Sequence, residues 1–304
     1  MRGHPGRPVH LLAALLALLA ALALAVGCER RSQEAPAAAA PAATLAATAD
    51  YGAQTLLETR VEPGQSLMRA LRGATDVDTA YGGAFVQSML GHAGDASATR
   101  DWFFYVNGIV GVVSAQDVGL ADGDSAWWDY RDWGALMQAP AVVGQWPAPF
   151  AHPPGEAPAV AADPPLRDAL ADAGARIADG DSPWRVRVGA SNELARSDPA
   201  WRRALDDPDR AGLTVTVDDG RIVALTAEAS GREPVPGARA LAAAVPTGAQ
   251  PADGVLMVVA GLDAAAAQAA AARIADDPSV LRLRYAVAFD GDGTPLRAGG
   301  RAGP

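Results

Sequence analysis

Trp102-Phe103-Phe104-Tyr105-Val106-Asn107-Gly108 and Ser125-Ala126-Trp127-Trp128-Asp129-Tyr130-Arg131-Asp132-Trp133 hold eight of the chain's 17 aromatic side chains. Each run is read as a strand, because β-branched and aromatic residues fit a pleated surface and the first ends in Asn-Gly, a strong hairpin turn. Period-two alternation puts Trp102, Phe104 and Val106 on one face and Phe103, Tyr105 and Asn107 on the other. On the second strand Trp128 and Tyr130 share a face, and Trp127 and Asp129 take the opposite one. One aromatic face fills a core. The second must meet the rest of the chain, a ligand or a partner.

Working outward, Thr55–Val61 reads as a strand closed by Glu62-Pro63-Gly64, and Ser66 can cap a helix that buries Leu67, Ala70 and Leu71. Tyr81–Leu90 and Val110–Ser114 read as further strands. Strand, helix, then several strands predicts a small β-grasp-like α+β domain over residues 52–136. Residues 137–165 are Pro- and Ala-rich and read as a linker laid along a surface. Residues 166–296 alternate helix and strand and predict a second, α/β domain with one sheet and helices on a face, before a disordered tail at 297–304. Within it, 238–245 reads as a short Ala-rich helix. Val280–Phe289 reads as one strand with Leu281, Leu283, Tyr285, Val287 and Phe289 on one side. Asp206-Asp207-Pro208 and Asp276-Asp277-Pro278 hint at a weak internal repeat, although any strand–helix–strand unit would show such punctuation.

The aromatic segment and its surroundings also resemble a known family. Trp102-Phe-Phe-Tyr-Val-Asn-Gly108, then Ser114-Ala-Gln-Asp-Val-Gly-Leu-Ala-Asp-Gly-Asp124, then Trp127-Trp-Asp-Tyr-Arg-Asp-Trp133, with Gly64-Gln-Ser-Leu67 ahead of them, resemble the transcobalamin-like C-terminal domain family. That bacterial domain of unknown function is related to the smaller domain of the vertebrate cobalamin carriers. The resemblance implies a β-grasp-like fold and cobalamin as a conceivable ligand. In the carriers the vitamin also contacts a large α/α barrel, for which this sequence offers no candidate. Phe103, Tyr105, Asn107, Trp127, Trp128, Tyr130 and Trp133 are the candidate residues for a flat ligand or a partner.

The N-terminal residues place the chain in the cell. Arg2 and Arg7 precede the apolar run Leu11–Val26, which is short for a membrane span and ends Ala25-Val26-Gly27-Cys28. This resembles a bacterial lipobox, with Ala25 where leucine is commoner. It implies a signal peptide over 1–27 and a diacylglycerol on Cys28 that anchors the exported chain to the outer face of the cytoplasmic membrane or within the envelope. Ordinary cleavage after Ala25 is the alternative. Residues 28–51, Ala/Pro-rich, read as a disordered tether.

Composition narrows the function. The net charge is −10 and every basic residue is arginine, which disfavours nucleic acid as a partner. Cys28 is the sole cysteine and only His92 and His152 follow it, which leaves little for soft-metal sites or histidine acid–base chemistry. Asp122-Gly-Asp124, Asp179-Gly-Asp181 and Asp290-Gly-Asp292 lack the spacing of a calcium loop and read as turns. Ser191 lacks the nucleophile-elbow frame, and Gly82-Gly83 lacks that of a phosphate loop. Asp129 and Asp132 beside tryptophans could serve a carbohydrate hydrolase, but pairing with Arg131 or Arg100 is the simpler use. The expectation is a non-enzyme with no cofactor. It either captures a small ligand at the cell surface or acts as an adaptor for another envelope protein. Since no other thiol can carry a lipid, Cys28→Ser should release the protein from membranes or leave an unprocessed precursor. A mature-sized variant that still sediments with membranes would contradict the lipobox reading.

Overall fold

The structure, a computed structural model, describes residues 41–152, 158–225 and 231–296. The signal peptide, Cys28 and the 297–304 tail lie outside the described residues. No described helix is long and apolar enough to cross a membrane.

Strands β1 (Ala43–Ala49) and β2 (Gln54–Val61) form a hairpin, and helix α1 (Leu67–Ala74) follows. The small strands β3 (Val77–Ala80), β4 (Phe85–Met89) and β5 (His92–Ala93) make a separate antiparallel sheet. Then come β6 (Arg100–Val106), β7 (Ile109–Val110) and β8 (Ser125–Asp132). The first large sheet runs β2-β1-β8-β6-β7, with β1 parallel to β8 and the other pairs antiparallel. Asn107 and Gly108, both left-handed (φ 50° and 77°), make the expected tight turn between β6 and β7. Ser66 Oγ accepts from Arg69 N and caps α1, whose Leu67, Ala70 and Leu71 enter the core as expected.

The tether reading fails at its C-terminal end. Ala43–Ala49 is no part of a disordered segment but an interior strand between β2 and β8. Ala43, Leu45, Ala47 and Ala49 face the core under α1, and Ala46 and Thr48 lie on the other face beside β8. Both faces are covered by bulky neighbours. Small side chains suit that position, and they made the stretch look too weakly hydrophobic to pack.

The remainder is built on β9 (Ala161–Ala162), β10 (Arg185–Ala190), β14 (Ala240–Pro246), β15 (Val255–Gly261), β16 (Val287–Phe289) and β17 (Pro295–Leu296), in the order β17-β16-β14-β15-β10-β9. The six strands have both faces covered, not one. Ala240, Ala242, Ala244, Val255, Met257 and Val259 pack on the side of α3 (Leu166–Asp172) and α7 (Ala264–Asp276), where the Asp263 side chain accepts from Ala266 N and caps α7. Leu241, Ala243, Leu256 and Val258 pack toward α4 (Ser191–Ser197) and α5 (Pro199–Asp206), which the short α6 (Pro208–Ala211) follows. That side also holds a second sheet of β11 (Val215–Asp218), β12 (Arg221–Leu225) and β13 (Arg232–Pro234), so the single-sheet expectation is corrected.

Two further expectations change. Residues 238–245 are not a helix; β14 occupies 240–246 and pairs with both β15 and β16. Alanine's helical advantage is at most about 0.7 kcal/mol per residue over ordinary residues. Burial on two faces of an interior strand outweighs it. Only Val287–Phe289 of the predicted 280–289 strand pairs, since Pro278–Leu281 forms a 3-10 turn and Leu283 is left-handed (φ 52°). The predicted inward set Leu281, Leu283, Tyr285, Val287 and Phe289 is nevertheless buried.

Much of the described part of the expected linker is packed inside the molecule. Ala139, Ala141, Val142 and Val143 are buried, and α2 (Ala148–Ala151) sets Phe150 against Trp184. The described residues from Pro41 onward accordingly form one compact unit. Removing residues 41–51 should leave a chain without cooperative unfolding, because β2 and β8 lose their common neighbour, and Leu45→Ala should cost about 2–5 kcal/mol. Thermal and urea unfolding followed by circular dichroism checks both; a chain starting at residue 52 with native cooperativity would contradict the assignment.

Candidate binding surfaces

The sheet face carrying Tyr105, Trp127, Asp129 and Arg131 is where the aromatic strands were expected to meet something. It meets the chain's own second half. Tyr105 and Trp127 are fully buried among Leu136, Val142, Leu225, Leu283 and Tyr285. Tyr285 stands edge-on to three rings: Tyr51, Trp127 and Tyr105, at 5.1, 5.2 and 5.6 Å between centroids.

Polar groups are inlaid in this apolar seam. The buried Asp129 carboxylate accepts from Thr48 Oγ1 (2.6 Å), Tyr285 OH (3.0 Å), Tyr51 N (3.1 Å) and Gly52 N (3.2 Å). Thr48 Oγ1 in turn accepts from Trp127 Nε1 at 2.7 Å. The β1–β2 turn reaches Asp129 only because Gly52 is left-handed (φ 80°) and lacks a Cβ, which would lie 1.9 Å from the Leu283 carbonyl oxygen. Arg131, also buried, lies 3.9 Å above the Phe103 ring and donates to the carbonyls of Leu136 and Met137, holding the segment that leaves β8.

Burial pushes the Asp129 carboxyl up, against the pull of Thr48, Tyr285 and Arg131. Burial likewise raises Tyr285, and it raises Tyr51 to about 12. For Arg131 burial works against the charge, but Tyr285, Tyr105, Tyr51 and Asp129 outweigh it, so the guanidinium stays protonated.

Both strand faces come out as the alternation predicts, but neither is open. Trp128 and Tyr130 join Trp102 in the core under α1, where Tyr130 OH donates to the Ala93 carbonyl. Phe103 is half-buried under Arg131. Asn107 is buried: its Nδ2 donates to Asp124 and to the His152 carbonyl, and its Oδ1 accepts from Ser125 N. Trp133 is half-buried and its backbone N donates to the Thr99 carbonyl. Tyr105, Asn107, Trp127, Trp128 and Tyr130 therefore form no open ligand face, which corrects that expectation. Asp129 and Asp132 point to different partners. Asp132 accepts from Thr99 Oγ1 at 2.5 Å, whereas Arg100 pairs with Asp50.

Two surface features remain. A groove of about 400 Å³ lies along β3, β4 and β5, lined by Asp76, Asp78, Ser88, Met89, Leu90 and His92 among others. Its Leu90-Gly91 turn is left-handed, and the His92 ring packs 4.9 Å from Tyr130. Among the described residues no group of three or more His, Cys, Asp or Glu side chains is arranged to hold a metal ion. The second feature is a set of exposed apolar side chains, Tyr81, Phe85, Val112 and Val113. The strand reading of 81–90 holds from Phe85 to Met89 and that of 110–114 only at Val110; Tyr81 lies in a 3-10 turn and Val112 and Val113 in a loop, beside Gly82-Gly83 and Gly111.

Residues 64–132 match the family described as "Domain of unknown function (DUF4430)", the segment that also carries the transcobalamin-like resemblance. The match begins after β2 and ends with β8. A solved structure described as "a putative metal binding protein from Ruminococcus gnavus" is 17% identical and covers 30% of this chain and 97% of its own, with a TM-score of 0.26. No curated protein matches the chain.

Tyr285→Phe should cost about 1–2 kcal/mol by removing one donor from a buried carboxylate, and Asp129→Asn on the order of 3 kcal/mol because an amide NH2 would face donors. A carboxyl whose folded pKa exceeds its unfolded value favours the folded state when protonated. That contribution is complete below about 3.9 and is lost as pH rises through the folded value. The stability gap between the native chain and Asp129→Asn should therefore narrow as pH rises above about 4 and through the raised folded value, as read by urea unfolding. A gap that widens would contradict this arrangement.

Proposed function

We propose that the chain is an exported, lipid-anchored, non-enzymatic binding protein of the cell envelope, and within that class an adaptor for another envelope protein. One observation carries the choice of adaptor. The aromatic rings that would have stacked on a flat ligand are buried against Leu136, Val142, Leu225 and Tyr285 of the same chain. A ligand at that face would have to separate two halves that share a fully hydrogen-bonded buried carboxylate. Residues 43–132 read as a β-grasp-like domain; the order β2-β1-β8-β6-β7 with parallel β1 and β8 supports this, with β3–β5 as an inserted sheet.

The groove along β3–β5 favours a second reading, capture of a small molecule. Its volume of about 400 Å³ sits near the lower end of ordinary ligand sites, roughly 300–1,000 Å³. Asp76, Asp78, Ser88 and His92 suit a small cationic or hydrogen-bonding group better than a macrocycle. Equilibrium dialysis against cobalamin tests the adaptor account against the corrinoid ligand that the resemblance implies: the adaptor account predicts no retention and unchanged tryptophan emission. Stoichiometric retention with quenched tryptophans would overturn it in favour of a corrinoid carrier.

A further inference from the structure

Tyr81, Phe85, Val112 and Val113 are 87%, 42%, 70% and 55% exposed, although the backbone that carries them is held in place. Ser114 Oγ donates to the Ala84 carbonyl (3.2 Å) and Gln116 Nε2 to that of Gly82 (3.4 Å), which lays the 111–116 loop on the 81–84 turn. The Tyr81 and Phe85 rings meet edge-on at 6.3 Å. Tyr81 itself is left-handed (φ 51°), a conformation uncommon for a bulky residue, in a turn that leaves its ring in water. The described residues thus build a small apolar surface and leave much of it in water.

We propose that this patch seats on the lipid bilayer to which the chain is tethered. The proposal rests on the tethered part of the reading above, not on the adaptor part. Three observations choose the bilayer over a protein.

Size is the first. Four partly exposed side chains offer a few hundred Å², well short of the about 800 Å² per partner of a stable protein interface. A bilayer asks for no matching shape and accepts protruding aromatic and aliphatic side chains at the headgroup boundary. Reach is the second. Pro41 lies 13 residues beyond Cys28, a separation that spans at most about 45 Å. Ala42 is pinned to the 111–124 loop, its N donating to Asp122 Oδ1 and its carbonyl accepting from Gly123 N. That same loop carries Val112 and Val113, so a lipid on Cys28 would hold the patch within range of the membrane. Charge is the third. With a net charge of −10 the chain gains no general attraction to anionic lipid, so the contact must be apolar.

The test uses the full chain with Tyr81 replaced by photoreactive benzoylphenylalanine, and a control chain with the probe at the exposed Ala265 of α7. Each is incubated with phosphatidylcholine vesicles and illuminated, and the adducts are identified by mass. Lipid adducts several-fold more abundant at position 81 than at 265, and reduced by Val112→Ser with Val113→Ser, are expected. Equal labelling at the two positions, no lipid adduct at 81, or adducts chiefly to a second copy of the chain would each overturn the proposal. Dependence of membrane fractionation on Cys28 is measured separately, so loss of the tether and loss of the docking contact give different results.

Discussion

A carboxylate buried between two halves of a chain is costly unless every lone pair is met, and Asp129 is met from three directions. Thr48 comes from the neighbouring strand, the Tyr51 and Gly52 amides from the β1–β2 turn, and the Tyr285 hydroxyl from the second half. Breaking such an arrangement by removing one partner leaves an uncompensated buried polar group, which is worse than never having built it. This constraint fixes where the β1–β2 turn and the 281–286 segment must lie. It also commits Trp127 and Tyr105 to the interior. Arg131 on the same face of β8 holds the start of the connecting segment, and the exposed Arg282–Glu58 pair closes the rim.

The interior position of β1 follows from the same seam. Alternate residues of β1 serve two cores: Leu45 and its odd-numbered neighbours pack under α1, while Ala46 and Thr48 belong to the seam. A strand flanked by Trp127 and Trp128 has room for little more than alanine and threonine. The Ala-rich composition that looks like a tether is the composition this site requires.

The legible parts of the sequence were those where local chemistry and tertiary environment agree. Asn107-Gly108 makes its turn, Ser66 and Asp263 cap their helices, and alternation sorts Trp102 and Trp128 from Tyr105 and Trp127. The illegible parts were those where tertiary burial overrode local preference. Ala240–Pro246 is alanine-rich yet a strand, because helices and a second sheet close both its faces. Leu281–Phe289 keeps its alternating burial while its backbone pairs only at the end, since Leu281 and Phe289 serve the α7-side core and Leu283 and Tyr285 the seam. The candidate site was half legible. Which aromatics share a face could be read, but their cover could not, because Tyr285 lies more than 150 residues from Asp129.

Function follows from what the seam leaves over. The seam aromatics are structural, so on the proposed reading recognition falls to features outside the seam: the β3–β5 groove and the exposed Tyr81–Val113 patch. If the seam joins the two halves as described, they unfold together, and calorimetry of the chain tests this most directly. The account predicts a single transition whose calorimetric and van't Hoff enthalpies agree. Two resolved transitions, one for each half, would contradict it.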